Sequence, residues 1–200
     1  ILNNSSTGYF IFRGQPMGYE YELLTRLAKS LNLKLEIKLT SDIDEAVRML
    51  NEGEGDIIAF TMAVTSSRKK EVAFTEHHNE IKQVLVQRKP EDWRSMKRHE
   101  IEDVLIRNPL ELDQKTIHVQ RNSAYAVRLE NLAEEIGGQI NIVQEEPGVD
   151  AESLIKRVSQ GEVNYTVAEE DVALVNATYY TNIDVQTPVS FPQKIAWATR

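Results

Sequence analysis

In the first half of the chain, segments whose apolar residues have helical spacing alternate with segments whose pattern is typical of β-strands. The segment 19–31 has the three- and four-residue spacing of an amphipathic helix, and 43–50 repeats that spacing. Between them, residues 33–39 alternate apolar and charged side chains, which predicts a half-buried strand. The apolar run 57–60 predicts a buried strand. This order of helices and strands predicts an α/β sheet built through crossovers.

The second half repeats the same order of elements. A strand is expected at 81–87, and a charged segment with a short helix near 100–106 follows it. The remaining pattern predicts three strands and two helices in alternation, with a third helix starting near Glu169: strands at 116–119, 140–143 and 163–168, helices at 124–136 and 151–158. The segments EGEGDIIAF and SQGEVNYTVA occupy matching places in the two halves.

This repetition predicts two similar α/β lobes. We place the crossing into the second lobe at Arg88–Pro90, and the proline-containing stretch 183–200 returns the chain to the first lobe. Lobe 1 is therefore expected to contain 1–88 and about 187–200, and lobe 2 to contain 89–186. Two such lobes joined by extended strands usually enclose a ligand between them.

Composition narrows the class of protein. A net charge of −8 and a pI near 5.1 argue against a nucleic-acid binder and against an electrostatic membrane anchor. The chain has no cysteine, which excludes disulfides, thiolate metal sites and a cysteine nucleophile. The pattern is already under way at Ile1, so we expect a mature fragment from which a targeting segment has been removed.

The first candidate site is the loop that follows the buried strand at 57–60. Ligands tend to bind at the carboxyl ends of strands in open α/β sheets. Thr65 and Ser66 offer hydroxyl groups there, and Arg68 suits a bidentate pair with a carboxylate. The alternative is that Arg68 belongs to a solvated run of cations and that Thr65 is a plain helix cap.

Two further candidates lie in the second half. Glu169, Glu170 and Asp171 follow a buried strand and suit an ammonium group, or else complement the dipole of the next helix. The segment 120–125 lies at the matching strand-to-helix corner, where Ser123 either helps to hold an anionic or amide group or simply caps the helix.

The sequence gives little support for an aromatic-lined site, a metal site or a known catalytic motif. Tyr9 and Phe12 suit either an apolar wall of a site or the core. His77 and His78 are adjacent and diverge in regular structure, and His99 and His118 stand alone, so we expect no metal site. We also expect no cofactor. Phosphate-loop, dinucleotide-binding, serine-hydrolase and zinc-protease motifs are absent.

Several segments together resemble a known family. GYEYELLTRLAKSLNLKLEI, DIIAFTMAVTSSRKKEVAFT and QVLVQRKP are similar to the family 3 extracellular solute-binding proteins. MGYEYELL, GEVNYTVAEEDVALVN and PVSFPQKIAWATR resemble the amino-terminal, non-catalytic module of the membrane-bound lytic transglycosylases of the F branch. The resemblance extends from about residue 7 to residue 200. It implies a two-lobed, type II periplasmic-binding-protein-like fold, with a mainly parallel sheet and flanking helices in each lobe and two hinge strands.

The resemblance also implies a function. Members of this branch are periplasmic, outer-membrane-associated enzymes that cleave peptidoglycan, in which a solute-binding-like domain precedes a lysozyme-like catalytic domain. The catalytic domain is expected to be absent from this chain. We therefore expect a non-catalytic, monomeric regulatory domain that senses an amino acid, peptide or muropeptide and is covalently linked to the catalytic domain in the full-length protein.

The resemblance assigns roles to individual residues. Arg68 matches the arginine that binds a ligand carboxylate, Thr65 matches the second threonine of the T-I-T-x-x-R signature, and Glu169 matches the acid that binds the ammonium group. Ala63 stands at the first signature threonine, and Ile43 stands where an aromatic clamp is expected. The full candidate set is Arg68, Thr65, Glu169, Ser123, Gln120, Tyr9, Ile43 and Thr61.

Two other functions stay open. A stand-alone amino-acid-binding protein of an ABC transporter would have a stop codon soon after this segment. An enzyme on the same fold, such as a cyclohexadienyl dehydratase, would need an acid and a base facing its substrate.

Overall fold

The computed structural model describes all residues, 1–200, and contains six α-helices and twelve short strands. The helices are α1 (Tyr19–Ser30), α2 (Ile43–Asn51), α3 (Arg98–Glu102), α4 (Ala124–Ile136), α5 (Ala151–Gln160) and α6 (Glu170–Tyr179). The strands are β1 (Phe10–Phe12), β2 (Gln15–Met17), β3 (Ile57–Ile58), β4 (Ala73–Phe74), β5 (Asn79–Ile81), β6 (Gln83–Arg88), β7 (Thr116–Val119), β8 (Asn141–Gln144), β9 (Tyr165–Glu169), β10 (Ile183–Pro188), β11 (Gln193–Ile195) and β12 (Ala198–Thr199).

The chain divides into two compact units. Unit 1 contains Ile1–Glu80 and Gln193–Arg200, and unit 2 contains Ile81–Pro192. The boundaries expected from the sequence, at residue 88 and about residue 187, therefore move to 80 and 192. The reason is that β6 and β10 pair with each other, and β6 also pairs with β9, so both strands belong to the sheet of unit 2.

The returning segment completes the sheet of unit 1. Its strand β12 pairs antiparallel with both β3 and β4. Trp197 in the same segment donates a hydrogen bond from Nε1 to a buried carboxylate on α1, Glu20, over 2.6 Å. These contacts attach the last eight residues to a unit that otherwise consists of the first eighty.

Helix α2 shows why the sequence predicts its ends well. The Asp42 carboxylate caps it by accepting hydrogen bonds from the backbone N–H groups of Asp44 and Glu45. Its apolar stripe packs into one core cluster of unit 1, and α1 contributes to a second cluster through Leu24. Each helix therefore buries one face, as its apolar spacing predicts.

Of two strands expected in unit 1, one does not form and the other is shorter than predicted. Within 33–39 only Leu39 makes an isolated bridge, with Leu2, and Leu33 is 65% exposed. Alternation alone does not produce a strand, because its backbone groups need a partner strand. The run expected as a strand at 57–60 forms a ladder only at Ile57 and Ile58, and the chain then turns into the loop described below.

Gly18 has a specific role at the start of α1. Its φ is +133°, and a Cβ at this position would lie 2.1 Å from the carbonyl oxygen of Gly8. Only glycine combines this backbone conformation with so close an approach. The chain can therefore turn from β2 directly into α1.

Unit 2 is built on a five-stranded sheet in the order β10–β6–β9–β7–β8. Strands β7, β8 and β9 are parallel, whereas β6 runs antiparallel to both of its neighbours. Helices α4, α5 and α6 contribute buried residues to a single core cluster with these strands. Two of the four strand pairings are antiparallel, so the sheet is mixed and not mainly parallel as the sequence predicted; both antiparallel pairings involve β6. The three-stranded sheet of unit 1 is antiparallel, because the returning strand β12 lies between β3 and β4.

Most elements predicted in this half form within a few residues of their expected bounds. Strand β7 and helix α4 match them, and α4 ends at Gly137 in the left-handed conformation. The short helix expected near 100–106 lies instead at 98–102. Leu105 and Ile106 are buried after that helix has ended, so their apolar character reflects core contacts and not helical spacing.

None of the six helices is long and apolar enough to span a lipid bilayer.

Glu145 connects two elements of unit 2 through its carboxylate. Oε1 lies 2.6 Å from Nδ1 of His118 on β7, and Oε2 lies 2.9 Å from Nη1 of Arg157 on α5. Burial acts to raise the pKa of Glu145, but the hydrogen bonds from His118 and Arg157 outweigh burial, and the pKa is lowered. The ionised form of Glu145 therefore stabilises the folded state.

We expect Glu145→Gln to lower the free energy of unfolding by about 1–2 kcal/mol at pH 7, because it removes charge-assisted hydrogen bonds. A carboxyl with a lowered folded-state pKa contributes stability above its unfolded pKa, near 4.3, and loses that contribution as pH falls. The difference from wild type should therefore shrink below about pH 4. Urea unfolding across pH measures it.

Glu146→Gln is the matched control, since Glu146 is exposed and makes no ion pair. A difference for Glu145→Gln that is constant from pH 7 to about pH 3 would contradict the assignment.

Candidate functional site

The candidate residues of unit 2 lie at one edge of its sheet. Glu169 is the last residue of β9, and Gln120 directly follows β7. These two strands are parallel neighbours, with His118 in register with Thr166. Because the carboxyl ends of parallel strands meet at the same edge, the structure brings Gln120, Ser123 and Glu169 to one edge of unit 2.

Ser123 closes the corner between β7 and α4. Its hydroxyl donates a hydrogen bond to the carbonyl of Gln120 over 2.6 Å, and its backbone N–H points to the same oxygen at 3.4 Å. Ser123 occupies the cap position of α4, but its side chain does not cap the helix. The simple capping role considered from the sequence is therefore wrong for the Ser123 side chain.

The three acids after β9 have different surroundings. Glu169 is 8% exposed and occupies the cap position of α6, where its side chain makes no capping hydrogen bond. Asp171 lies in the first turn of α6 and accepts a hydrogen bond from the N–H of Val172. Burial raises the pKa of the Asp171 carboxyl, and the backbone hydrogen bonds only partly oppose this effect.

Gln83 is a candidate that the sequence analysis did not identify. It is 2% exposed, and its side-chain Oε1 has no hydrogen-bond partner in the structure. It lies directly opposite Glu169 in the β6–β9 ladder, so the two side chains share one face of the sheet. A buried acceptor without a donor is costly unless a ligand or water supplies one. The available signal was a glutamine directly before the apolar run Val84–Val86.

The loop that carries Arg68 is held in unit 1 by the returning strand β11. Ala63 bridges Ile195, and the backbone N–H of Val64 donates to the carbonyl of Lys194 over 2.9 Å. This pairing fixes the residues between β3 and Thr65.

Thr65 and Arg68 form a tight turn at the end of that loop. The Thr65 hydroxyl accepts the backbone N–H of Arg68 over 3.3 Å, and Nη1 of Arg68 donates to the carbonyl of Ala63 over 3.1 Å. Thr65 therefore orients the start of a single 3₁₀ turn that spans 68–70, whose cap position is Ser67, so the plain helix-cap role considered for Thr65 is wrong. Arg68 is half-buried, unlike the exposed Lys69 and Lys70, so it does not behave as part of a solvated charge run.

The other candidates of unit 1 lie in or beside its apolar clusters. Ile43 packs against one cluster, and Tyr9 contacts Tyr21 edge-to-face with ring centroids 5.4 Å apart. Ala63 is buried, and Thr61 is half-buried in the loop after β3. Core packing accounts for Tyr9 and Ile43 without a ligand. Their ligand contacts stay predictions.

Each unit therefore offers one kind of recognition chemistry. Unit 1 holds a guanidinium by its own backbone, which suits a carboxylate. Unit 2 places the Glu169 carboxylate beside the unpartnered Oε1 of Gln83, at the same sheet edge as Ser123. These oxygen atoms suit a hydrogen-bond donor such as an ammonium group. The structure contains no group of three or more acidic or histidine side chains able to hold a metal ion.

Comparison with known proteins identifies the class. The model of the bacterial extracellular solute-binding proteins, family 3, matches residues 4–178, and the chain belongs to this family. Solved structures with the same fold include an ancestral arginine-binding protein bound to arginine (TM-score 0.79, 21% identity, 99% of this chain and 82% of that one). The ligand-binding core of GluR0 in complex with L-glutamate also matches (TM-score 0.77, 16% identity, 100% and 81%). The fold is that of the two-lobed, type II periplasmic binding proteins.

Relatives found by sequence similarity belong to a narrower group of proteins. A membrane-bound lytic murein transglycosylase F from Desulfosudis oleivorans is 32% identical over 201 residues, which cover 100% of this chain and 41% of that protein. The protein of the same name from Saccharophagus degradans is 28% identical over 99% of this chain and 37% of its own length. The chain thus spans about two fifths of the length of these relatives.

We expect Thr65→Val to lower the free energy of unfolding by about 1 kcal/mol, because it leaves the Arg68 N–H without its side-chain acceptor while keeping the volume. Chemical denaturation measures the change. Ser66→Ala is the control, since Ser66 is exposed in the same turn. Equal stability of the two variants would show that Thr65 does not organise the turn.

Proposed function

We propose that this chain is a ligand-binding, non-catalytic module that regulates a longer murein lytic transglycosylase. One observation carries the proposal. The whole chain matches about two fifths of such an enzyme, and the same chain belongs to a solute-binding family. A domain with this fold, joined to an enzyme that acts on murein, is suited to sensing small molecules near that polymer. The location we propose is the periplasm, in association with the outer membrane.

The recognition chemistry supports a ligand with both charges. We propose that Arg68 binds the ligand carboxylate and that Glu169, with Gln83 beside it, binds the ammonium group. The buried methyl group of Ala63 and the core position of Ile43 remove two contacts expected for a free amino acid. A peptide or muropeptide with a free carboxylate fits these changes better.

The proposed mechanism is a population shift. A ligand that binds one conformation of the module more tightly raises the population of that conformation, and a covalently linked catalytic domain responds to it. Couplings of this kind are typically about 1–3 kcal/mol, or roughly 5- to 150-fold in an equilibrium constant. The module itself would carry no catalytic group.

The alternative is an amino-acid-binding protein of a transporter. It is favoured by the structural match to the substrate-binding protein of an amino acid ABC transporter (TM-score 0.76, 21% identity). It predicts that L-arginine or L-glutamate stabilises the chain more than muropeptides do. The regulatory proposal predicts the opposite order, together with altered murein cleavage by the full-length protein when the ligand is present.

We expect Arg68→Gln to abolish the thermal stabilisation of the protein by its ligand, because the ligand carboxylate loses its charged partner. Differential scanning fluorimetry with L-arginine, L-glutamate and a muramyl peptide measures the effect. A ligand at about 100 times its Kd stabilises the folded state by about 2.7 kcal/mol. Lys69→Gln, next in sequence and exposed, is the control. Full stabilisation of Arg68→Gln would exclude this role for Arg68.

Gln83→Leu should separate ligand binding from folding. We expect it to raise the stability of the ligand-free protein by about 1 kcal/mol, because it removes a buried acceptor without a partner. The same substitution should reduce stabilisation by the ligand. Urea unfolding with and without the muramyl peptide measures both effects. If Gln83→Leu lowers the stability of the ligand-free protein, its amide is structural.

A further inference from the structure

A second concave site lies in unit 2, in the charged segment between β6 and β7. A cavity of about 550 Å³ is lined mainly by residues of 89–105, and β10 contributes Asp184 and Gln186. The apolar part of the lining comes from Met96, Ile101 and Leu105. The cavity is large enough for a small organic molecule.

Two cations converge beside an indole ring in this cavity. Nζ of Lys89 lies 4.5 Å from the ring centroid of Trp93, and Cζ of Arg94 lies 5.0 Å from it. The same two side chains also meet at Thr181. Lys89 donates to the Thr181 carbonyl over 2.9 Å, and Arg94 donates to the Thr181 hydroxyl over 3.4 Å. The two positive charges are therefore held near one ring and one residue.

No carboxylate forms an ion pair with these cations. Lys89, Arg94 and the third basic residue of the lining, Arg98, are absent from every ion pair of the structure. Like charges held close together repel each other, and a bound anion would relieve that repulsion.

The two acids in the lining already have a partner. Arg107 donates to both oxygens of Asp184, over 2.5 and 3.0 Å, and its Nε donates to Glu102 over 2.6 Å. The hydrogen bond from Arg107 lowers the pKa of Glu102. Because Arg107 is shared by two carboxylates, it does not add to the positive charge. The charge of Arg98 also lowers the pKa of Glu102, so Arg98 interacts with one of these acids without forming an ion pair.

The position of this cavity separates it from the candidate site described above. Asp184 pairs with Gln87 and lies near the Arg88 end of β6, whereas Glu169 pairs with Gln83 at the other end. The two ends of this six-residue strand are roughly 17 Å apart. The cavity is thus a second site in the same unit.

We propose that this cavity binds the carboxylate of a small organic anion, with Lys89, Arg94 and Arg98 as the anion-binding groups and Met96, Ile101 and Leu105 in contact with its apolar part. The proposal does not depend on the function proposed for Arg68 and Glu169. A sugar acid and the carboxyl end of a short peptide both have this chemistry.

Binding measured by isothermal titration calorimetry or ligand-observed NMR tests the proposal. The probes are N-acetylmuramic acid and acetyl-dialanine, each paired with an uncharged counterpart, N-acetylglucosamine and acetyl-dialanine amide. At least one acid should bind, and its counterpart should bind at least about tenfold more weakly, as expected for loss of a charged hydrogen-bonding partner. The acid that binds identifies the source of the carboxylate.

The double variant Arg94→Gln/Arg98→Gln should weaken binding of the acid at least about tenfold, while Lys97→Gln, in the same segment but outside the lining, should not. Both arginines are exposed, so we expect the double variant to melt as wild type does. Trp93→Leu should weaken binding, because it removes the ring that positions Lys89 and Arg94.

Three results would overturn the proposal. The first is no binding of either acid up to about 10 mM. The second is equal binding of the acids and their uncharged counterparts. The third is displacement of the acid by inorganic phosphate at the same concentration, which would indicate a site for any small anion. The measurements are made in the Arg68→Gln background as well, where the site proposed above lacks its guanidinium. Binding that persists there and is lost on adding Arg94→Gln/Arg98→Gln belongs to this cavity, which distinguishes this test from that of the proposed function.

Discussion

The antiparallel pairing of β6 with β9 is the constraint on which unit 2 depends. Its five residue pairs lie in the middle of the sheet, and the core residues Val84–Val86 and Val167 are almost completely buried there. A slip of one residue would move every side chain to the opposite face, so the hydrophobic core fixes the register. That register sets Gln83 beside Glu169 at one end. The other end of β6 leads into the segment that forms the cationic cavity.

Hydrogen bonding distinguishes structural polar groups from candidate functional ones. Buried acids such as Asp184 and Glu20 have strong donors, Arg107 and Trp197, and these pairs connect distant parts of the chain within one unit. Such partnered groups support the fold. The buried oxygen of Gln83 has no donor, and the cations around Trp93 have no carboxylate. Both candidate sites of unit 2 therefore contain polar groups whose interactions the protein itself does not complete.

The turn from Thr65 to Arg68 is local, because the threonine hydroxyl accepts the N–H of the arginine three residues later, and the sequence alone could therefore suggest it. The role of Arg68 in ligand binding stays a prediction. The sequence did not identify Gln83 or the cavity around Trp93. The significance of Gln83 depends on Glu169, which is 86 positions away and becomes its neighbour only through the sheet. In the same way, Lys89 and Arg94 are brought together by hydrogen bonds to Thr181, which lies about ninety positions later in the chain.

The sequence by itself determined the order of the helices and the ends of α2 and α4, since capping residues, glycine and apolar spacing act over one or two turns of chain. It did not predict the short strands β1, β2, β4 and β5. Tertiary structure decided which predicted strands became ladders, because a strand needs a partner as well as an alternating pattern. Residues 33–39 alternate but pair only at Leu39, whereas β6 pairs along both edges. It also decided where the units divide, because long-range pairing and not local composition assigns β6 and β10 to the second unit.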